Sequence, residues 1–496
     1  MVWGGLLLSA GPAWALRRDG KATWSITTRV GPDAQVPGWF INLGLTGARA
    51  KIPEEAPNVL EVTYVFPGTP AAGRLKVGDR IVGANGRPFP PHKFGYGMDV
   101  FGYEGPMMSL GLALEESQMP RFGGRLRLAV VRDGRPVAIL LHLPTTYGAY
   151  ARTYPFRCHK TDRVLAELYA YLLRRQRPDG LWHGRPHINA FAAMALMGSP
   201  RPEHRVAARR AVQAMAKQTE RTVRWAGLDC WKYTLYGIAM AEYYLLTGEA
   251  WLRPELEEVR DWLTAAQAPN GGWCHRPWNP ERGNGYGPFN AVTMQAKLAL
   301  ALMWRAGLAV NARRFAAAHE FVVRGTNAEG YVWYADGGAR KAGYADMGRT
   351  GIAVLAHALS PVGGLEYRLY ARRGARCIGN HPQTFPDTHG CPLLGMVWTA
   401  LGAATDPVAF RRLMDYNRWW FSLAHCPDGT FYYQPNRDNN PQDYTAAPRL
   451  SASAATALIF SLRYHRLQVT GARPVMRTAG TSAPAPSSPA RLRRAG

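Results

Sequence analysis

The chain has 496 residues, 47% of them apolar, and 60 basic against 35 acidic side chains leave a net charge of +25. That apolar fraction can fill the cores of two domains and excludes a disordered chain. Charge alone does not specify nucleic acid: the arginines are scattered and no basic helix or aromatic–basic platform stands out, so no nucleic-acid partner is expected.

In chain order, Leu6, Leu7 and Leu8 make a short apolar run, and Ala13-Trp14-Ala15 fits an A-x-A cleavage site. Residues 1–15 therefore read as a signal peptide, although no positive charge precedes the run, and the mature chain is expected in the periplasm or outside the cell. The run is too short to cross a bilayer and no other segment has an uninterrupted apolar run of membrane length, so no membrane span is expected.

Residues 16–148 read as a first domain, in which residues 40–145 alternate short β-like runs with Gly and Pro. Val59–Phe66, Arg125–Val131 and Val137–Leu141 are predicted strands, Asp133-Gly134 a hairpin turn, and Ser109–Gln118 a helix. Between them runs Pro67-Gly68-Thr69-Pro70-Ala71-Ala72-Gly73-Arg74-Leu75-Lys76-Val77-Gly78-Asp79-Arg80-Ile81-Val82-Gly83-Ala84-Asn85-Gly86. This stretch resembles the signature of bacterial PDZ domains: a small helix, a Gly-Asp turn, a buried strand and an Asn-Gly hairpin. The resemblance implies a partner, a protein C-terminal peptide added as a strand at a sheet edge. Its carboxylate would sit on the backbone N–H groups of Leu43, Gly44 and Leu45, although this loop departs from the usual Gly-Leu-Gly-Phe pattern. A PDZ fold used only to dock on the neighbouring domain is the competing reading.

Residues 149–471 carry an internal repeat. Gln176–Trp182 and Gln267–Trp273 both read Gln-x-x-x-Gly-x-Trp; weaker copies are Gly330 with Trp333, and His425 with Gly429 and Phe431. The helix before each loop has one apolar stripe, as in Val164, Leu165, Leu168, Tyr171 and Leu172, or Leu256, Val259 and Leu263. The helix after it, as in Asn290–Trp304 and Ser451–Leu462, is apolar nearly all round and so buried on every side. Outer helices are predicted from near 161, 202, 254, 311, 364 and 407, and inner ones from near 187, 229, 288, 346, 390 and 450. Six such hairpins closing on themselves make an α/α toroid. In the motif, Gly permits the tight turn, Gln is expected to satisfy helix-end backbone groups, and Trp to stack between hairpins. The expected fold is thus multidomain: a small β-rich PDZ-like domain followed by an all-α six-hairpin toroid.

The Gln-x-x-x-Gly-x-Trp element resembles the repeat motif of triterpene cyclases, and so reports architecture of the terpenoid-cyclase type. The Asp-x-Asp-Asp motif of squalene–hopene cyclases is absent, which argues against polyprene cyclisation. Arg152-Thr153-Tyr154-Pro155-Phe156, Asp387-Thr388-His389-Gly390 with Gly395-Met396, Tyr433-Gln434-Pro435-Asn436-Arg437-Asp438 and Pro448–Thr456 are similar to segments of an exported bacterial family of unknown function that joins a PDZ domain to this toroid. That resemblance implies architecture and export and brings no activity. From about 472 to 496 the chain is Ser, Pro, Ala and Arg without periodicity, a disordered tail.

Inner-helix N-termini meet at one end of such a toroid, where their dipoles favour anions. Asp387, His389 and Cys391, before the fifth inner helix, alternate as zinc ligands could, but three contiguous alternates rarely converge and Asp387 serves equally as a cap. Asn436–Asp443 is rich in oxygens yet lacks the spacing of a calcium loop. No metal and no cofactor is assigned. The cysteines, six in all, read as small buried thiols, and the Cys-His pairs 158–159, 274–275 and 425–426 as packing residues. The candidate site is a rim: Asp387, His389 and Asp443 as proton-transfer or orienting groups, and Arg437, Asp438, Arg449, Asp229, Tyr286 and Asn290 as ligand contacts. An internal salt-bridge network over the same residues is the alternative. Two functions compete: an adaptor that binds a peptide terminus and a polar ligand such as a polysaccharide, or a glycosidase- or lyase-like enzyme of the toroid cavity.

Overall fold

A computed structural model describes residues 17–18, 21–22, 41–53, 55–92, 104–219, 228–279, 281, 287–337, 344–386, 392–432 and 447–473. The leader expected over 1–15 and the tail from 474 lie outside the described residues.

The N-terminal part is an antiparallel sheet with one helix. Beyond a two-residue pair, β1 (Arg17–Arg18) and β2 (Lys21–Ala22), come β3 (Ile41–Asn42), β4 (Ala48–Lys51), β5 (Leu60–Val65), β6 (Arg80–Ala84), β7 (Arg87–Pro88), β8 (Arg125–Arg132) and β9 (Arg135–His142), with α1 (Pro106–Ser117) inserted before β8. The order across the sheet is β3-β4-β5-β6-β8-β9, with β7 paired to β6. In β8 buried Leu126, Leu128 and Val130 alternate with exposed residues, as a sheet with one covered face requires. Asp133 and Gly134 take φ of 50° and 74°, the paired positive values of the tight turn that their sequence predicts. Helix α1 lies on β6 and β8 through Leu110, Ala113 and Leu114.

The rest is helical. Outer helices α2 (His159–Arg175), α4 (Pro202–Gln218), α6 (Leu252–Ala266), α8 (Ala312–Arg324), α10 (Gly364–Asn380) and α12 (Pro407–Tyr416) alternate with inner helices α3 (Pro186–Gly198), α5 (Asp229–Thr247), α7 (Asn290–Arg305), α9 (Gly348–Ala358), α11 (Pro392–Ala403) and α14 (Pro448–Phe460). Each inner helix packs on the next, and α14 packs back on α3, so the ring closes. These starts lie within two residues of those predicted, because a 3.6-residue apolar stripe and a Pro or Gly stop are local signals. The sequence did not reveal α13 (Arg418–Ala424), a short buried helix that continues the sixth outer helix after a break at Asn417.

The repeat loops work differently from expectation in one respect. Gln176 donates to the carbonyls of Gly180 at 2.7 Å and Ala207 at 2.8 Å; Gln267 donates to those of Gly271 at 2.8 Å and Arg314 at 2.9 Å. The glutamine therefore ties its loop to the next outer helix. The end of its own helix is satisfied by tryptophan: Trp182 Nε1 donates to Leu172 O at 2.7 Å and Trp273 Nε1 to Leu263 O at 2.9 Å. The tryptophan backbone N–H then donates to a side chain in the first turns of the following inner helix, Asn189 Oδ1 at 2.9 Å or Thr293 Oγ1 at 3.0 Å. The same link recurs as Val332 to Thr350 at 2.9 Å and Phe431 to Ser453 at 3.1 Å. Gly271 has φ +94°, and a Cβ there would run into the carbonyl of Ala317 on α8. Gly271→Ala is therefore expected to lower stability by more than about 1 kcal/mol, whereas Gly287→Ala, which meets nothing within 4 Å, should cost less. Thermal unfolding of the two variants checks this.

The sheet domain is docked on the toroid through buried polar groups. Glu115 of α1, 3% exposed, accepts from Lys160 Nζ at 2.7 Å, from Ser422 Oγ at 2.8 Å and from the Tyr150 N–H. Asn42 Nδ2 donates to Leu423 O at 2.8 Å, and the Arg49 guanidinium lies between the rings of Phe66 and Tyr432 at 4.7 and 4.5 Å.

Candidate functional site

Near the toroid axis, the first turns of α5, α7, α9 and α11 surround a small cavity of about 40 Å3 that opens to solvent. Its wall includes Trp231, Gln295, Asp346, Arg349, Ile352 and Trp398. These residues come from four inner helices because each helix begins at the same end of the ring. Asp346 precedes α9 with φ +55°, an unusual conformation for a residue with a Cβ, and is held there by its ion pair with Arg349. Arg349, 3% exposed, also donates from Nε to Val332 O at 3.2 Å and from Nη2 to Tyr331 Oη at 3.1 Å and Ala345 O at 3.2 Å. The guanidinium is thus locked in one orientation and, among the described residues, pairs with the Asp346 carboxylate.

The aromatic part of the wall is equally fixed. Trp231 Nε1 donates to His275 Nδ1 at 2.9 Å, so the His275 expected only to pack instead orients a cavity indole. Gln295 accepts from Thr234 Oγ1 at 3.2 Å. Trp398, 2% exposed, has a buried indole N–H with no hydrogen-bond partner among the described residues. An unsatisfied buried donor costs on the order of 1–3 kcal/mol, so an acceptor brought by a ligand or water would be stabilising there.

The residues expected from sequence divide as follows. Asp387, His389, Asp443, Arg437, Asp438 and Tyr286 lie outside the described residues. Arg449 is buried at the start of α14 and pairs with Asp428 at 2.7 Å and with Thr430, both in the loop before that helix. Asn290 uses its amide N–H groups on Trp333 O at 2.9 Å and Ala335 O at 3.2 Å, strapping α7 to the next loop. Asp229 sits in the first turn of α5 and pairs with Lys232 at 3.4 Å, one turn further on. None of these three lines the cavity. The wall residues Asp346, Arg349, Trp231, Gln295 and Trp398 were missed. A sequence signal did exist for one of them: Arg349 occupies the second position of its inner helix, as Arg449 does in α14, each following a Gly-plus-aromatic loop.

Leu43, Gly44 and Leu45, expected to hold a peptide carboxylate, are buried by the chain itself. A Cβ on Gly44 would lie 2.6 Å from Ser422 O of α13 and 2.7 Å from Leu114 of α1. In this arrangement the loop holds the toroid. The described cysteines, 158, 230, 274, 377 and 426, are buried, and His425 is packed between the rings of Tyr147 and Phe431, as expected for core groups. Among the described residues no helix is long and apolar enough to cross a membrane.

Comparison with known structures finds distant similarities over the helical part of the chain. The GH76A alpha-1,6-mannanase of Salegentibacter sp. HEL1_6, an inactive variant in complex with alpha-1,6-mannotetrose, is 10% identical over 61% of this chain and 98% of that one, with a TM-score of 0.46. The type II terpene cyclase MstE from Scytonema is 12% identical over 62% of this chain and 98% of its own, with a TM-score of 0.41. The unsaturated glucuronyl hydrolase from Bacillus sp. GL1 is 15% identical over 60% of this chain and 94% of its own, with a TM-score of 0.40. No curated protein sequence matches the chain. Residues 161–471, which run from the first outer helix to the end of the last hairpin, match one family over more than half of the chain, and the protein belongs to that family, DUF6288, described as a domain of unknown function.

Proposed function

We propose that the toroid is a binding protein for a polar, ring-shaped ligand of the carbohydrate class, taken up at the axial cavity. The supporting observation is the wall itself: two indoles beside an Asp346–Arg349 pair, with Trp231, Asp346 and Arg349 held in place by the hydrogen bonds described above. Indole faces suit the apolar faces of a sugar ring, and a fixed carboxylate and guanidinium suit its hydroxyls. A glycosidase or lyase of the same cavity needs a second acid across from the first, typically about 5–9.5 Å away for glycoside hydrolysis. Asp346 supplies a carboxylate among the described wall residues. In the enzyme reading, Asp387, Asp438 or Asp443 would supply that acid and His389 the proton transfer; Arg437 and Tyr286 would contact the ligand in either reading.

The PDZ-like reading of the sheet domain rests on the Pro67–Gly86 signature, and export rests on the leader; both belong to this proposal on that basis. With Leu43–Leu45 under α13, the sheet domain acts as a docked support, and a peptide terminus would reach the loop only after α13 withdrew.

The test is a fluorescence titration of the full chain with neutral and uronic oligosaccharides. Saturable quenching is expected, and Trp231→Ala, at a partly exposed position, should weaken binding about tenfold, equivalent to about 1.4 kcal/mol, without lowering the melting temperature. Absence of saturable binding across the panel, or equal binding by the variant, would remove the carbohydrate reading.

A further inference from the structure

Away from the axial cavity, the loop after α8 meets the C-terminal end of α10. Cys377 and His381 are four residues apart there, so one helical turn sets them on the same face. Glu329 comes from the repeat loop between α8 and α9. That loop is rigid: Asn327 Oδ1 accepts from the Glu329 N–H at 3.0 Å and the Tyr331 N–H at 2.9 Å. It is also pressed onto α10, since a Cβ on Gly330 would lie 2.5 Å from the carbonyl carbon of Arg373. Packing therefore brings Glu329 to the Cys377–His381 face. The thiol sulfur, an imidazole nitrogen and a carboxylate oxygen all lie within 4.8 Å of one another. His381 Nε2 and Glu329 Oε2 are already 3.5 Å apart.

A fourth residue orients the group. Tyr344 donates its hydroxyl to Glu329 Oε2 at 2.7 Å and stacks its ring on His381 with centroids 3.5 Å apart and planes at 13°. Both side chains are thereby fixed toward the thiol. We propose that Glu329, Cys377 and His381 form a binding site for a thiophilic divalent cation of the zinc class, with Tyr344 as the residue that positions two of its ligands. Bonds of about 2.0–2.3 Å in a tetrahedron put ligand atoms about 3.3–3.7 Å apart, so the cluster needs to contract by up to about 1.5 Å. One sulfur with one imidazole selects zinc-like ions over magnesium or calcium. Glu329 is 56% exposed and His381 21%, which leaves the fourth position on the solvent side, open to water.

Burial, and then the charge of Glu329, push the Cys377 thiol well up, and burial keeps the His381 imidazole below its usual value. A bound cation would take the imidazole in its neutral form and the thiol as thiolate, so its binding would release a proton. The sequence contained half of this site as Cys-x-x-x-His; its third ligand is 48 residues before Cys377 and is joined to it only by the packing of α8, α9 and α10.

The experiment uses the full chain, stripped with a chelator and titrated with cobalt(II). One equivalent should produce a near-ultraviolet thiolate-to-cobalt charge-transfer band that zinc then bleaches. Cys377→Ser should abolish the band and Cys426→Ser should retain it. Tyr344→Phe should weaken cobalt binding about tenfold, as loss of an orienting partner does. Because Cys377 is buried, Glu329→Gln at the exposed ligand serves as the second variant and should weaken cobalt binding with an unchanged melting temperature. A titration without the band, a band that persists in Cys377→Ser, or cobalt affinity unchanged in Glu329→Gln overturns the site.

Discussion

Glu115→Ala is expected to destabilise the full chain by about 3–5 kcal/mol, the usual consequence of removing one partner of a buried ion pair. Glu115 and Lys160 are 3% and 1% exposed and 2.7 Å apart. The same carboxylate also accepts from Ser422 Oγ and the Tyr150 N–H, so alanine orphans three donors at once. Lys160 would keep only the face of Tyr150, 4.2 Å from its ammonium. Since a cation–π contact is worth about 2 kcal/mol at most sites, it cannot replace a buried counter-charge. The double variant Glu115→Leu with Lys160→Met should lose much less than Glu115→Ala, because no charge is left buried. Denaturant unfolding of the three proteins checks the prediction. Equal midpoints for Glu115→Ala and the parent chain would show that the sheet domain is held to the toroid by apolar packing alone.

Trp273→Ala should cost roughly 3–5 kcal/mol. The side chain is fully buried at the junction of α6, the repeat loop and α7, and its Nε1 satisfies the Leu263 carbonyl at the end of α6. Alanine both opens a cavity and leaves that acceptor without its donor. Trp182→Ala, in the matching place one pair of hairpins earlier, should behave alike. Trp273→Phe restores most of the volume and should recover much of the loss, leaving about 1–3 kcal/mol for the orphaned carbonyl. Denaturant midpoints measure all three. An unmoved midpoint in Trp273→Ala would mean that the repeat tryptophans do not join the hairpins.

What could be read from the chain was local. Periodicity of 3.6 residues located the helices, and apolar character on one side or all round separated outer from inner ones, because burial acts on each helix through residues three and four apart. Gly271 with Trp273 marked a loop because φ +94° favours glycine, and Asp133-Gly134 marked a hairpin for the same kind of reason. The motif's internal bookkeeping was misassigned: which of Gln267 and Trp273 reaches the helix-end carbonyl depends on where the next outer helix passes, and that is not a local property.

By itself, the sequence determined a helical repeat, its punctuation and a β-rich N-terminal segment. Tertiary structure decided everything that depends on groups far apart in the chain. It set α13 on the loop Leu43–Leu45, which local pattern had offered to a peptide. It gathered Trp231, Gln295, Asp346, Arg349 and Trp398 from four inner helices into one wall, and it carried Glu329 to Cys377 and His381. The physical reason is the same in each case. A helix or turn is specified by interactions over a few residues, whereas a site is specified by the closure of the ring, and closure is a property of all six hairpins packed together.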